Sequence, residues 1–375
     1  MDFGPYPITA CRQANRIPSR ALRRLPPKNM TLCRLDFRTH PLLPGGNLQT
    51  LAGLFLPRKY TDYQATRRWI TLADGDRMVM HDDAPAGWRQ GDPTAVLLHG
   101  LGGCHGSPYV RRMAEKLNER GVRTFRLDLR GCGDGEQAAR GGTHCCSWED
   151  VGAAIDAVAK LCPDSDTLLV GYSLGGALAL NLAGSMGNKR RGNLSAVCAV
   201  CPPMDLHAID EAFTVGAGKF YSKHFAAMMY KTILRRLGKM DDPPEVDVSQ
   251  KPRSIRELDE RITAPHAGYD DVEQYYTDAS PAGRLDSIRI PTLVIAADDD
   301  PVIPVEPLIT ASRSPWVEAW VTRGGGHLGF LSPRGDDPDR RWVDWRIVEW
   351  AVSHLHTELG RSGSRRSTAT ATAAT

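Results

Sequence analysis

The sequence of 375 residues has no apolar run of eighteen or more residues, so we predict no transmembrane helix. Its N-terminus is basic but lacks the apolar core and the cleavage site of a signal peptide. The nine cysteines have no regular framework spacing, and this usage suits a reducing compartment. We therefore predict a cytoplasmic protein, and the sequence leaves peripheral contact with a membrane open.

The sequence also has little excess of positive charge, and the small excess does not indicate a clustered basic surface. The net charge is only +3, from 47 Lys and Arg residues against 44 Asp and Glu residues, and much of the excess lies in the N-terminal stretch CRQANRIPSRALRRLPPK. Binding to nucleic acid requires a basic face, so we predict no nucleic-acid partner. A hydrophobic content of 41% is ordinary for a globular protein. The oligomeric state stays open.

Three regions of the chain differ in composition. Residues 1–37 are predicted to be a flexible N-terminal extension. Residues 358–375, which end in GRSGSRRSTATATAAT, are of low complexity and are predicted to be a disordered tail. Residues 38–357 are predicted to form one large domain.

The pattern of strands and helices indicates an α/β fold. From Arg67 onward, apolar strands such as TAVLLHG, TLLVG and PTLVIAA alternate with helices, which predicts a mostly parallel sheet with helices on both faces. RRWITLADGDRMVMHD predicts two further strands around an Asp-Gly turn. At about 203–283 the alternation stops and the chain becomes helical and charged. We interpret this stretch as a lid inserted before the last two strands.

One pentapeptide, Gly171 to Gly175, matches the pattern G-x-S-x-G and has Ser173 at its centre. The motif requires a strand before it and a helix after it, and both are predicted here. The sharp turn between them strains the serine backbone and holds the hydroxyl above the carboxyl edge of the sheet. A serine that caps a helix is the alternative interpretation, but the context favours a nucleophile.

A serine nucleophile needs a base at neutral pH, and in this type of fold the chain order is serine, acid, histidine. His327 lies in GGGHLGF, after the predicted last strand VEAWVTR, where the base belongs. The acid is expected after the preceding strand, where three aspartates are consecutive. Asp300, which begins the turn DPVIP, is the preferred acid and Asp299 is the second choice. Two of the three aspartates are expected to be merely solvated.

Acyl chemistry also needs N–H donors for a developing oxyanion, each contributing ~3 kcal/mol to the transition state. The turn in LLHGLGG indicates the backbone N–H of Leu101 as the first donor, and the residue after the serine, Leu174, supplies the second. His99 is predicted to brace that turn. The turn lacks the Lys-Ser/Thr of a P-loop and the G-x-G-x-x-G of a dinucleotide site.

Cysteines are also ligands for metal ions, so a metal site has to be considered. Cys198 and Cys201 form a CxxC, but no second pair lies at the spacing of a zinc site. We interpret both as small residues at the end of a buried strand. The serine chemistry described above needs no metal and no organic cofactor.

Several stretches together resemble the α/β-hydrolase superfamily and, more narrowly, its YheT-like family of esterases. They are HPLLPGGNLQTLAGLFLP, LLHGLGGCHGSPYVRRMAEKLNERG, LDLRGCGDG, GYSLGG, DDPVIP and, within the lid, IRELDERITAPHAGYDDVEQYYTDAS. The resemblance covers roughly residues 38–357. One departure is the pair Cys145 and Cys146, where a serine-glycine pair is expected, and it leaves the packing of that loop open.

The resemblance implies hydrolysis of carboxylic esters with Ser173, Asp300 and His327 as a catalytic triad. The substrate is expected to be a small-molecule or lipid ester with a short- to medium-chain or lipid-derived acyl group. Enzymes of the wider family also pass the acyl group to an alcohol, so acyl transfer is the first alternative. The second is a protein of the same fold that binds a ligand without catalysis, which predicts a broken triad.

Overall fold

The computed structural model of the protein describes residues 32–56 and 65–355. The predicted disordered tail, 358–375, lies outside the described residues, as does the predicted flexible extension up to residue 31. No helix in the described part has the length and apolar character needed to cross a membrane. The division of the chain into three regions stays a prediction.

The described residues form one sheet of nine strands in the order β1-β9-β8-β7-β6-β4-β5-β3-β2. Seven neighbouring strands, from β1 to β5 in that order, are parallel, and β3 and β2 continue the sheet as antiparallel strands. The strands are β1 (Leu32–Leu35), β2 (Thr66–Thr71), β3 (Arg77–Asp83), β4 (Thr94–Leu98), β5 (Arg123–Asp128), β6 (Thr167–Tyr172), β7 (Leu194–Val200), β8 (Thr292–Ala297) and β9 (Val317–Thr322).

Helices cover both faces of this sheet, which explains why the parallel strands are continuous apolar runs rather than alternating ones. Two large apolar clusters result, one holding Leu98 and Leu178 and the other Leu97 and Ile347. The α-helices are α1 (Gly46–Phe55), α2 (Pro108–Asn118), α3 (Trp148–Leu161), α4 (Leu174–Met186), α5 (Leu206–Ala212), α6 (Gly216–Leu237), α7 (Ile255–Leu258), α8 (Ala264–His266), α9 (Val272–Ala279), α10 (Glu306–Thr310) and α11 (Trp342–Leu355).

The helical stretch predicted at about 203–283 corresponds to helices α5 to α9, which lie between β7 and β8. Within it, Asp259–Thr263 forms a π-helical turn between α7 and α8. π-Helical turns are rare in proteins, and those that do occur often lie at functional sites. The stretch also has apolar clusters of its own, one of which includes Leu206, Tyr275 and Tyr276.

The edge strand β1 differs from the sequence prediction. Leu32–Leu35 pairs in parallel with Ala319–Thr322 of β9, although these residues belong to the stretch predicted as a flexible extension. Leu35 and the following Phe37 are both buried, and both belong to the apolar cluster on one face of the sheet. The sheet therefore begins at Leu32, before the predicted domain boundary at residue 38, because two buried apolar side chains anchor this short segment.

Candidate active site

Ser173 lies at the tight turn that joins β6 to α4. Its backbone has φ 51° and ψ −121°, a region that residues other than glycine rarely adopt. The flanking glycines allow the turn: a Cβ on Gly171 would lie 2.2 Å from the carbonyl oxygen of Gly175, and one on Gly175 would lie 2.6 Å from that of His99. The small residues of the motif are therefore required by the close approach of two backbones, and the strained turn exposes the serine side chain.

The structure brings the predicted nucleophile, base and acid together from three separate segments. His327 Nε2 lies 3.0 Å from Ser173 Oγ, and His327 Nδ1 lies 2.8 Å from Asp300 Oδ2. These segments follow β6, β8 and β9, whose carboxyl ends meet at one edge of the parallel sheet. The side chain of Asp300 is 2% exposed. A carboxylate so placed orients the imidazole and stabilises its charged form.

The three consecutive aspartates all take part in this loop arrangement. Asp300 Oδ1 accepts hydrogen bonds from the backbone N–H groups of Val302 and Ile303, at 2.8 and 3.0 Å, while its other oxygen faces the histidine. Asp298 and Asp299 accept hydrogen bonds of 2.8 Å from backbone N–H groups of the glycine loop before His327. The expectation that two of the aspartates are merely solvated is therefore wrong, because both hold the loop that carries the histidine.

Thr50 is a contact of the histidine that sequence reasoning missed. Its hydroxyl oxygen accepts the backbone N–H of His327 at 2.8 Å and donates to the carbonyl oxygen of Gly46 at 2.7 Å. The neighbouring Gln49, fully buried, both donates to and accepts from the backbone of Leu331. Helix α1 is thus attached to both sides of the histidine loop. The resemblance of residues 40–57 to a family segment is the one signal that marked this region.

The two predicted oxyanion donors lie beside the serine. Leu174 is the first residue of α4, where an N–H has no acceptor within the helix. Leu101 lies in the turn after β4, and both residues line the same cavity as Ser173. The turn is held in place by Tyr109, whose hydroxyl oxygen accepts the N–H of Gly100 at 2.9 Å. His99 accepts the N–H of Leu129 at 3.2 Å while buried, so it braces the turn as predicted.

A cavity of about 430 Å³ opens above Ser173 and is lined mainly by apolar side chains from the sheet edge and from helices α5 to α9. Two carboxyl groups interrupt this wall. Asp210 is paired with Arg256 at 2.9 Å, whereas Asp259 accepts a hydrogen bond from Tyr276 at 3.1 Å. Burial raises the pKa of Asp259 to about 7. The cavity therefore offers an apolar volume with one buried acid that takes up a proton near neutral pH.

All cysteines in the described part of the chain are free thiols. Cys198 and Cys201 lie in and directly after β7 and are buried, as predicted. Cys145 and Cys146 contact the segment between β7 and β8: the N–H of Cys145 donates to Tyr275 in α9, and the hydroxyl of Tyr269, just before α9, donates to Cys146 at 3.3 Å. This resolves the packing that the departure from the family pattern left open.

Two groups of side chains in the described residues have ligand atoms close enough to hold a metal ion. One is Cys201 with Asp300 and His327, whose acid and base are already bonded to each other. The other is His81 with His105 and Asp128, in which the two stacked rings both contact the buried carboxylate of Asp128. Burial opposes the low pKa of Asp128, but the hydrogen bonds from both rings outweigh it.

Residues 95–345, more than half of the chain, match the alpha/beta hydrolase family. Human phospholipase ABHD3 is 32% identical over 329 residues, which cover 83% of this chain and 78% of that protein. The medium-chain fatty acid ethyl ester synthase/esterase 2 of Saccharomyces cerevisiae is 30% identical over 283 residues, 69% of this chain and 61% of that protein. "Putative esterase YheT" of Escherichia coli is 29% identical over 317 residues, 83% of this chain and 92% of that protein.

Two solved structures are similar in fold. A 2,6-dihydroxy-pseudo-oxynicotine hydrolase has a TM-score of 0.54 at 16% identity, covering 82% of this chain and 72% of that one. Est1E of Butyrivibrio proteoclasticus with bound ferulic acid has a TM-score of 0.50 at 20% identity, covering 77% of this chain and all of that one. These likenesses confirm the predicted fold class, and the names of the sequence relatives support the predicted class of enzyme, a carboxylic ester hydrolase.

Proposed function

The chain belongs to the alpha/beta hydrolase family, and we propose that it hydrolyses carboxylic esters through an acyl-enzyme on Ser173. The observation that carries this proposal is the continuous chain of contacts from Ser173 Oγ to His327 Nε2, 3.0 Å, and from His327 Nδ1 to Asp300, 2.8 Å. The same contacts count against a binding protein without catalysis, since that alternative predicts a histidine that does not reach the serine.

In the proposed reaction, Ser173 Oγ attacks the ester carbonyl carbon and its proton passes to His327 Nε2. The carbonyl oxygen becomes an oxyanion, which the backbone N–H groups of Leu101 and Leu174 stabilise by ~3 kcal/mol each. His327 then gives the proton to the leaving alcohol. Water attacks the acyl-enzyme in the second half, giving its proton to His327, and the acid leaves as Ser173 recovers its own. Asp300 holds the imidazole throughout.

The cavity supports an apolar acyl group of short to medium length, or a lipid-derived one. Burial of an acyl chain in a mainly apolar volume of about 430 Å³ stabilises the complex by ~0.8 kcal/mol per methylene group. Relatives named as a phospholipase, a medium-chain ethyl ester synthase/esterase and a monoacylglycerol lipase act on esters of this kind. We propose that helices α5 to α9 serve as the lid over this cavity and that the enzyme works in the cytoplasm.

A fluorophosphonate probe tests the proposed nucleophile. Intact protein should be labelled at Ser173, and the Ser173→Ala variant should lose both labelling and hydrolysis of p-nitrophenyl esters from short to medium chain length. The proposal fails if the wild-type protein is unlabelled at Ser173 and the variant keeps its hydrolysis. Circular dichroism of the variant is the control for folding.

Acyl transfer to an alcohol is the second candidate, and the name of the yeast relative, an ester synthase/esterase, favours it. The two activities share the acyl-enzyme and differ in whether water or an alcohol takes the acyl group. Reaction with added ethanol or glycerol distinguishes them. New ester formed at the expense of free acid indicates transfer, whereas unchanged release of acid indicates hydrolysis.

A further inference from the structure

A second, smaller cavity of about 110 Å³ lies next to the proposed oxyanion turn. It shares Gly100, Leu101 and Leu174 with the larger cavity, so the two adjoin at the residues that would hold the oxyanion. An ester has an acyl part and an alcohol part on opposite sides of its reacting carbon. If the acyl part occupies the larger apolar cavity, the smaller cavity lies where part of the alcohol can reach.

The smaller cavity has a basic wall. Three arginines line it, Arg130, Arg140 and Arg236, and no carboxylate among the described residues does so. Besides His99, which braces the oxyanion turn, two histidines also line it, His144 and His266. Both histidine pKa values are lowered by burial and by nearby cations. A negatively charged group that entered this cavity would therefore meet guanidinium groups and no lining carboxylate, which makes the cavity complementary to an anion.

Arg236, on the last turn of α6, is the buried cation of this wall. Its guanidinium donates to the backbone carbonyl oxygens of Ala139 and Gly141, at 2.9 and 2.6 Å, and more weakly to that of Glu136 at 3.4 Å. Nη1 takes no part in these hydrogen bonds, and no carboxylate of the described residues forms an ion pair with Arg236. The residue is 8% exposed, so its charge is largely removed from water, and its direct hydrogen-bond partners are neutral carbonyl groups. The carboxylates of Glu136 and Asp76 act on this charge only from beyond ion-pair distance.

Two glycines shape the space around this guanidinium. A Cβ on Gly131 would lie 2.5 Å from Arg236 Cζ, and one on Gly142 would lie 3.2 Å from Nη1. Gly131 also has φ 69°, a conformation that glycine adopts readily. The loop therefore packs its backbone directly against the flat face of the guanidinium and fixes its orientation.

The other two arginines already have acidic partners. Arg130 pairs with three carboxylates, including Asp76 at 2.7 Å and Asp150 at 2.8 Å, and Arg140 pairs with the exposed Asp242 at 3.0 Å. Of these three arginines, Arg236 alone forms no ion pair with a carboxylate of the described residues. Arginine offers several N–H donors in a planar fork that suits a phosphate group.

We propose that the smaller cavity binds a phosphate group carried on the alcohol part of the ester substrate, and that Arg236 is the residue that selects it. This inference rests on the proposed function and deepens it by naming a class of substrate: acyl esters whose alcohol carries a negatively charged phosphate. Arg236 acts here on specificity and touches none of the reacting atoms.

The test compares two substrates with the same acyl chain, 1-octanoylglycerol 3-phosphate and 1-octanoylglycerol. For the wild-type protein we expect a lower KM for the phosphate-bearing ester. Arg236→Gln removes the charge but keeps an amide that can still donate to the loop carbonyls, and it should raise that KM by roughly 10- to 100-fold. The KM for the neutral ester should change little.

Arg235→Gln is the matched control. Arg235 precedes Arg236 on the same helix, but its side chain is 57% exposed and pairs with Glu136, outside the lining of the smaller cavity. The preference for the phosphate-bearing ester should be unchanged in this variant. Arg236→Lys, which keeps the charge but loses the fork, should retain part of the preference even if the glutamine variant folds poorly.

Equal substrate preference in the wild-type protein and in a folded Arg236→Gln variant would overturn the proposal. Inorganic phosphate tests the other source of the same anion: inhibition of both substrates by phosphate, with no preference between them, would make the cavity a site for a free anion and overturn the substrate role. Normal hydrolysis of the neutral ester with no preference defeats this inference alone, whereas loss of all Ser173-dependent hydrolysis defeats the proposed function.

Discussion

The two cavities that adjoin at Gly100 and Leu101 differ in charge although they share part of their walls. The larger is lined by apolar side chains and two aspartates, and the smaller by three arginines, with no lysine or arginine in the described lining of the first and no carboxylate in that of the second. One helix, α6, contributes to both. Phe220 and Phe225 in its N-terminal half face the larger cavity, and Arg236 near its end faces the smaller one.

Because the one continuous helix α6 lines both cavities, the two sides of the proposed ester substrate would lie in different environments. The apolar volume stabilises a chain without charge, whereas the smaller cavity presents the buried guanidinium of Arg236, which has no ion-pair partner among the described residues. Substitutions at the shared centre should therefore affect every substrate, and substitutions within one cavity should affect only the part of the substrate that enters it.

The largest expected effect comes from Asp300→Asn, because this residue acts on the centre common to both cavities. We expect kcat to fall by about 10⁴-fold for neutral and phosphate-bearing esters alike, since an asparagine stabilises the wrong form of the imidazole. Asp299→Asn is the matched variant: its amide oxygen still accepts the N–H of Gly326, so kcat should fall by less than about tenfold. Steady-state kinetics with p-nitrophenyl esters measures kcat for both variants. If kcat fell equally in the two, neither Asp300 nor Asp299 alone would be the acid of the triad.

Asp259→Asn tests whether the carboxyl group of Asp259, in the larger cavity, is protonated in the folded protein. The folded-state pKa, raised by burial to about 7 from an ordinary 3.8, means that the folded protein binds this proton more tightly than the unfolded chain. The contribution of this proton to the free energy of unfolding is therefore complete below about pH 4 and is lost as the pH rises to about 7, by on the order of 4 kcal/mol.

The asparagine variant carries no such proton. Relative to the wild-type protein, it should thus gain stability between pH 5 and pH 8, as measured by urea denaturation at both values. If the stabilities of the wild-type protein and the variant change in parallel between pH 5 and pH 8, Asp259 does not titrate in that interval. The ratio of the hydrolysis rates for phosphate-bearing and neutral esters should be unchanged in the variant, because Asp259 lies outside the smaller cavity.

Ile209→Trp reduces the volume of the larger cavity, which Ile209 lines from α5. Excluding about two methylene groups of the acyl chain should lower kcat/KM for medium-chain esters by roughly tenfold and leave short-chain esters unchanged. A panel of p-nitrophenyl esters measures this shift. If medium- and short-chain esters were affected equally, the larger cavity would not be the acyl site, and the comparison of the two cavities would lose its functional basis.

Thr50→Val has the smallest expected effect. Valine has nearly the shape of threonine but cannot accept the N–H of His327, so the histidine should be less well held and kcat should fall by roughly fivefold, with a loss of about 1 kcal/mol in stability. Thr50→Ser keeps the hydroxyl and should restore most of both. Kinetics and thermal denaturation measure the pair, and identical behaviour of the valine and serine variants would contradict a positioning role.

Most of the sheet could be predicted because local composition determines it. Strands such as TAVLL and TLVIAA are apolar throughout and fully buried, so their periodicity alone marks them. β1 could not be found in this way. LCRL is short and lies within a basic stretch, and it becomes a strand only because β9, formed much later in the chain, offers an edge with which it pairs.

The same limit applies to the site. Ser173, Asp300 and His327 follow from chain order and from turns after strands, and the structure brings them together; their catalytic roles stay a prediction, while the relatives confirm the predicted class of enzyme. Thr50 could not be predicted, since its role depends on a contact with a distant loop. Arg235 and Arg236 are adjacent in sequence and chemically equal, and only tertiary packing separates the exposed one from the buried one.

The attachment of α1 to the histidine loop has a consequence for how the protein acquires activity. The hydrogen bond from His327 to Thr50 spans 277 residues of sequence, and β1 pairs with the last strand of the sheet. Contacts of such high sequence separation form late, since the loop between them must close first. During synthesis or refolding, the central strands can therefore become compact well before the histidine is held, and enzymatic activity should be the last property of the molecule to recover.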